Sequence, residues 1–356
     1  MNSRSPVKGR GALSNPANRF APSQLQAEPG GWDIPEDTLP SAVTEVREER
    51  VKSIISRNDS PDVPFDRSIN PYRGCEHGCI YCFARPTHAY WDLSPGLDFE
   101  TKLIAKTNAA EVLAQTFNKP SYRCQPIALG SNTDPYQPLE KERSTTRAIL
   151  EVMQRYRHPV SIITKGSLIL RDLDILQEMA ASRLCSVMIS VTTLDNDLKR
   201  TLEPRAASPT ARLRAIRTLT DAGIPVGVLA SPMIPMINDH ELERILKACR
   251  DAGATSAAYI LLRMPYEVKD LMKEWLATHF PQRAEHVLSL IRQSRDGQEY
   301  DATFGRRMTG TGQFAELLNQ RFHLACRKYG LNPRERLQLD CSQFQRPQER
   351  QQLSLF

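Results

Sequence analysis

The chain has 356 residues, about 40% of them apolar, and a formal net charge of +6 with an isoelectric point near 8.9. That length holds one large domain with extensions or two small ones, and the apolar share is ordinary for a protein that buries a core. No stretch is long and apolar enough to span a bilayer, and "MNSRSPVKGRGALSNP" contains no apolar signal region, so a membrane or secreted protein is not expected and the expected location is the cytoplasm.

Residues 1–48 are rich in Pro, Gly, Ser, Asn and charge and predict a poorly ordered arm. Val51–Ile55 predicts a short strand before an Asn/Asp/Pro turn. The stretch "CEHGCIYC" then places Cys75, Cys79 and Cys82 within one short segment. Beyond it a rhythm sets in. Helical spacing covers 108–118, with Asn108 as N-cap, and recurs over 142–157, 171–182, 208–223 and 239–253. Ser208, Pro209 and Gly223 mark the start and end of the fourth of these. Between the helices, β-branched and apolar runs at 125–131, 160–164, 185–193, 224–231 and 255–265 read as buried strands. Strands alternating with helices predict βαβ units and a parallel sheet over 49–265, closed as a barrel or open and doubly wound. Residues 266–356 lose the alternation and predict a helical C-terminal extension on the outside.

In a reducing compartment, clustered cysteines point to metal or catalysis more than to disulfides. Two chemistries fit three of them. One is a closed tetrahedral zinc site completed by His77, Cys124 or Cys341, stabilising a non-catalytic nucleic-acid-binding module. The other is a [4Fe–4S] cluster in which three thiolates hold three irons and the fourth iron stays open for a small molecule. Zinc sites favour paired ligands, and no second C-x₂-C occurs here.

The C-x₃-C-x₂-C spacing with Tyr81 before the last cysteine, ahead of a βα series, resembles the radical S-adenosylmethionine (SAM) superfamily. "GSNTDPYQPLE" and "EPRAASPTARLRAIRTLTDAGIPVGVLASPMIP" are similar to its spore photoproduct lyase-like branch, and within it to a bacterial photolyase-like radical protein family. The likeness covers residues 50–265. It implies an α/β fold, a partial (β/α)6 TIM-like barrel, with Cys75, Cys79 and Cys82 on a [4Fe–4S] cluster. It also implies S-adenosylmethionine bound at the open iron and cleaved reductively to a 5′-deoxyadenosyl radical, and a reductant such as flavodoxin or ferredoxin.

Strand-end residues gain roles by the same resemblance: Ser131, Thr133 and Asp134 for the cofactor's ammonium, Lys165 and Arg205 for its carboxylate, Ser190 for its ribose, and Tyr81 beside the cluster. Each has an ordinary alternative: an Asx turn at Asp134, a solvated Lys165, a backbone-bonded Ser190, an Arg205–Glu203 ion pair. Ser131 stands where spore photoproduct lyase carries the cysteine that returns hydrogen to its substrate. A hydroxyl O–H is much harder to break homolytically than a thiol, so thymine-dimer repair by that route is not expected. A nucleic-acid substrate is suggested by the net charge and by Arg306, Arg307, Arg321, Arg327, Lys328, Tyr329, Arg334 and Arg336, which equally suit a solvated face.

Overall fold

The computed structural model describes residues 7–20, 43–334 and 337–347. In chain order its strands are β1 (Glu45–Glu49), β2 (Ile55–Arg57), β3 (Arg67–Ile69), β4 (Tyr72–Arg73), β5 (Lys102–Lys106), β6 (Ile127–Leu129), β7 (Val160–Thr164), β8 (Cys185–Ser190), β9 (Val226–Met233) and β10 (Ser256–Leu261). Its helices are α1 (Asp98–Thr101), α2 (Ala109–Asn118), α3 (Glu140–Arg143), α4 (Thr145–Arg155), α5 (Leu173–Ala181), α6 (Asn196–Leu202), α7 (Pro209–Asp221), α8 (Leu242–Asp251), α9 (Val268–His279), α10 (Ala284–Gln293) and α11 (Gly312–Tyr329).

Six strands, in the order β10-β9-β8-β7-β6-β3, form one parallel sheet, and β2 adds an antiparallel edge beside β3. This is the expected partial barrel. Val160, Ile162, Val187, Ile189, Val226 and Val228 are almost wholly buried within it. The helices cover it through apolar stripes such as Ile149, Leu150 and Met153 of α4. Helix α7 starts as its sequence predicts: Ser208 Oγ accepts from Ala211 N at 3.2 Å, Pro209 opens the first turn, and Gly223 follows the end at φ +78°.

Three expectations change. Val51–Ile55 is not a strand; β1 and β2 lie on either side, and Val51 and Ile54 are buried anchors between them. Asn108 stands at the N-cap position of α2, where its carbonyl accepts from Val112 N, but its side chain does not cap the helix. Its amide bonds both backbone groups of Val51, donating to the carbonyl at 2.9 Å and accepting from the N–H at 2.8 Å, so it staples the connection ahead of β2. Composition placed 1–48 in a poorly ordered arm, yet Arg10, Ala12, Leu13 and Ser14 are buried, and β1 pairs in parallel with β5. The rest of that arm, 1–6 and 21–42, lies outside the described residues.

The C-terminal helices are part of the core. Ala315, Leu318, Phe322 and Ala325 of α11 continue the barrel's apolar interior, with Phe322 and Tyr259 4.8 Å apart between ring centroids. Helices α9 and α10 pack Leu271, Trp275, Val287 and Ile291 against Ile80 and Tyr81 of the cysteine loop. Phe344 of the tail closes an aromatic cluster with Phe117, Tyr122, Tyr156 and His158 at the amino end of the sheet.

His158 in that cluster is fully buried, stacked 4.4 Å from Phe117, with Tyr122 Oη 2.7 Å from Nε2. Burial pushes its pKa down from 6.5 to about 3. Below the unfolded value the unfolded chain binds a proton that the folded chain refuses, so stability is full above pH 6.5 and falls as the pH drops toward about 3. Between about pH 5.5 and about 4, where the unfolded imidazole is charged and the folded one is not, His158 is expected to contribute a loss of about 1.4 kcal/mol per pH unit. Urea unfolding of wild type and His158→Gln checks this, because the variant lacks that part of the slope.

Candidate active site

The cysteine loop leaves the carboxyl end of the barrel through a small second sheet, in which β5 lies between β1 and antiparallel β4. Cys75 N donates to Phe99 O at 2.9 Å, and two tight turns follow, Gly78 N to Cys75 O and Cys82 N to Cys79 O. Cys75 and Cys79 are buried and Cys82 is half-buried. Arg85, with no exposed surface, holds the loop from behind. Its Nε donates to Cys79 O at 2.9 Å, Nη2 to Gly78 O at 3.2 Å, and Nη1 to Gly96 O at 2.8 Å and Pro95 O at 3.1 Å. The Glu100 carboxylate pairs with that guanidinium and also accepts from Gly11 N and Ala12 N, each at 2.9 Å. The arm segment therefore lies directly on the loop. A Cβ on Gly11 would sit 1.9 Å from Gly78 O, and one on Gly78, itself at φ +67°, would meet Glu100 at 2.7 Å.

Tyr81 turns inward, its hydroxyl bonded to Glu203 and 3.3 Å from Thr192 Oγ1. Glu203 has no exposed surface. Burial works against its ionisation, but the Arg212 guanidinium, Lys165 and two hydrogen bonds hold its pKa at about 2. Sequence reading offered Arg205 as the ion-pair partner of Glu203. The partner is Arg212, and Arg205 pairs with Glu76 at 3.1 Å while its N–H donates to His77 O. The signal was present in α7, where Arg212 falls on the same stripe as the buried Ala215, Ile216 and Leu219. A charge on a buried stripe demands a buried partner.

Among the residues picked from sequence, Lys165 reaches the loop, with Nζ 5.8 Å from the Tyr81 ring centroid and near enough to Cys79 and Cys82 to favour their thiolates. Arg205 borders it through Glu76 and His77. Ser131 is half-buried at the start of its loop. Asp134 and Thr133 are engaged within the protein. Asp134 accepts from Thr164 Oγ1 (2.6 Å), Lys165 N (2.7 Å) and Tyr136 N (2.8 Å), and faces His77 Nδ1 at 3.3 Å. Burial opposes its charge, yet His77 and these donors hold its pKa at about 2. Thr133 Oγ1 donates to Tyr72 O at 2.8 Å. Both side chains are bonded within the protein and shape the loop, the Asx turn at Asp134 included. Ser190 is almost fully buried, and its carbonyl accepts from Arg212 at 3.0 Å.

Of the fourth ligands named for zinc, Cys124 lies before β6, at the opposite end of the sheet, beside Cys341, and His77 turns its Nδ1 to Asp134 at 3.3 Å. Among the described residues no three Cys, His, Asp or Glu side chains gather closely enough to close around one ion. The donor set does suit a cluster, whose thiolates bind separate irons: three thiols share one loop, and Lys165, Arg85 and Arg212 supply positive charge around it. Burial, then Glu203, pushes the Cys79 thiol up to about 12, so a metal bound there must displace a proton held more tightly than in a free thiol.

The family model described as the radical SAM superfamily matches residues 69–249, slightly more than half of the chain. The chain belongs to the radical SAM superfamily. A Mycobacterium tuberculosis protein described as uncharacterised is 38% identical over 232 residues, covering 65% of this chain and 68% of its own. One from Methanocaldococcus jannaschii, likewise uncharacterised, is 30% identical over 173 residues, 49% of this chain and 62% of its own. Among solved structures, a spore photoproduct lyase mutant superposes with a TM-score of 0.58 over 80% of both chains at 16% identity. Another was solved with bound AdoMet and dinucleoside spore photoproduct. At that identity the likeness shows the shared fold. This protein is thus a radical SAM enzyme with the lyase's barrel. Among the described residues no helix is long and apolar enough to cross a membrane.

Proposed function

We propose that this radical SAM enzyme binds a [4Fe–4S] cluster on Cys75, Cys79 and Cys82 with S-adenosylmethionine beside it, and removes hydrogen from a nucleic-acid substrate. The observation that carries the reading is the set of three thiols on one loop at the carboxyl end of the barrel, with Lys165 over Tyr81 and the other cysteines elsewhere. When bound, cluster and cofactor together supply a 5′-deoxyadenosyl radical. The chain's own residues supply position. Lys165 is a point charge for the cofactor carboxylate, and Arg205, ion-paired to Glu76 at 3.1 Å, sets a second cation at the same rim. Glu203 and Arg212 fix the Tyr81 ring, while Met233, Ile234, Leu262 and Met264 keep water from the barrel mouth. The nucleic-acid part is supported by the net charge and by the dinucleoside ligand of the lyase that shares this fold. The basic residues of the C-terminal region argue for it less than their number suggests: Arg306 is tied to Asp296, Arg307 to Asp62 and Arg321 to Glu243, and Arg336 lies outside the described residues.

Anaerobic reconstitution, reduction by dithionite or flavodoxin, and assay of 5′-deoxyadenosine test the reading; no cleavage by iron-loaded, reduced protein would overturn it. Lys165→Ala and Arg205→Ala are each expected to weaken S-adenosylmethionine binding roughly ten-fold, the worth of one hydrogen bond to a charged group. Equilibrium dialysis measures this, and unchanged affinity removes those two assignments. Clean repair of the thymine dimer by wild type would show that a donor other than a thiol serves, since Ser131 stands in that loop and Cys124 lies at the far end of the sheet.

A further inference from the structure

Beyond the last barrel strand, the arginines divide into two kinds. Arg306 and Arg307 carry carboxylate partners. Arg263 and Arg295 pair with no carboxylate among the described residues. Arg295 is buried and spends its donors on carbonyls, those of Arg307 (2.9 Å), Arg306 (3.0 Å) and Leu262 (3.1 Å) among them. Arg263 is half-buried, two residues past the carboxyl end of β10. Its partners are weak: the Met308 sulfur at 3.5 Å and the Tyr300 hydroxyl at 3.3 Å, while its Nε is buried with none. Two neighbouring guanidinium charges thus have no directly bonded carboxylate among the described residues; Asp301 acts on Arg295 from farther off and is shared with Arg306, which leaves Arg263 the less compensated of the two and open to a ligand that brings negative charge. Arg263 also lies 5.6 Å from the ring centroid of Phe83 and 5.9 Å from that of Tyr300. Phe83 directly follows Cys82 and is 46% exposed, an open aromatic face next to the cysteine loop.

We propose that Arg263, Phe83 and Tyr300 form a subsite for one nucleotide of a single nucleic-acid strand. Arg263 takes a phosphate through its free donors, and Phe83 stacks on the base and brings the sugar to the barrel mouth. An anion completes the charge balance at Arg263, and a planar ring covers the exposed face of Phe83. This rests on the reading of the substrate as nucleic acid and names the residues that would recognise it.

The test uses the cluster-loaded protein without reductant and two fluorescein-labelled probes, a short oligothymidylate and an abasic deoxyribose-phosphate strand of equal length, read by anisotropy. Arg263→Gln is expected to weaken both probes roughly ten-fold and to lower the salt dependence by about one counterion, with Arg263→Lys recovering part of the abasic affinity. Phe83→Ala is expected to weaken the oligothymidylate at least five-fold, the lower limit for loss of one base stack of about 1–3 kcal/mol, and to leave the abasic strand unchanged. Circular dichroism and iron content check that the variants are intact. If wild type binds oligothymidylate and intact Arg263→Gln and Phe83→Ala bind it as well as wild type, the subsite is wrong and the nucleic-acid reading stands. If wild type binds neither probe, the nucleic-acid reading fails and the subsite fails with it.

Discussion

Replacement of Cys75, Cys79 or Cys82 by Ala is expected to take the anaerobically reconstituted protein from about four irons per chain to background, and S-adenosylmethionine cleavage with it. The size of the effect follows from the count of ligands. Each thiolate holds its own iron, and no other cysteine lies on the loop to replace a lost one. Cys185, buried in β8 among apolar side chains, is the control. Cys185→Ala removes a small core side chain, costs about 1 kcal/mol of stability at most, and keeps its iron. Iron and sulfide analysis with the charge-transfer absorbance decides the outcome. A full complement of iron in all three loop variants would place the cluster elsewhere.

Arg85→Met is expected to be the most damaging change outside the cysteines, destabilising the fold by about 3–5 kcal/mol, the range for removing one partner of a buried ion pair. Arg85 and Glu100 both have no exposed surface, so Glu100 would keep the Gly11 and Ala12 N–H donors and lose its only directly bonded cation among the described residues. The carbonyls of Gly78, Cys79, Pro95 and Gly96 would lose their donor together. Two of these lie in the cysteine loop, so iron retention is expected to fall alongside stability. The double variant Arg85→Met with Glu100→Gln removes both charges and is expected to recover part of the loss; urea unfolding of the four proteins gives the coupling. Strict additivity would show that the pair does not hold the loop.

The barrel and the cysteine loop were legible in the sequence because both are written locally. Val160–Thr164 is found where its β-branched residues predict a buried strand, and Ser208, Pro209 and Gly223 bound α7 by chemistry confined to a few neighbouring residues. The cysteine spacing is likewise local, since one loop places all three thiols. What the tertiary structure decided is who meets whom across the chain. The Arg10–Ser14 segment reads as arm by composition and becomes part of the site because Glu100, some 89 residues away, accepts the Gly11 N–H. Glu203 meets Arg212 and not Arg205 because an arginine on the buried stripe of α7 reaches it first. Asp134 spends its oxygens on Thr164, Lys165 and Tyr136, which no spacing rule foretells. Local propensity and periodicity are properties of a window of sequence. The pairing of buried charges is settled only when distant segments lose water together and each charge must find a partner within a few ångströms.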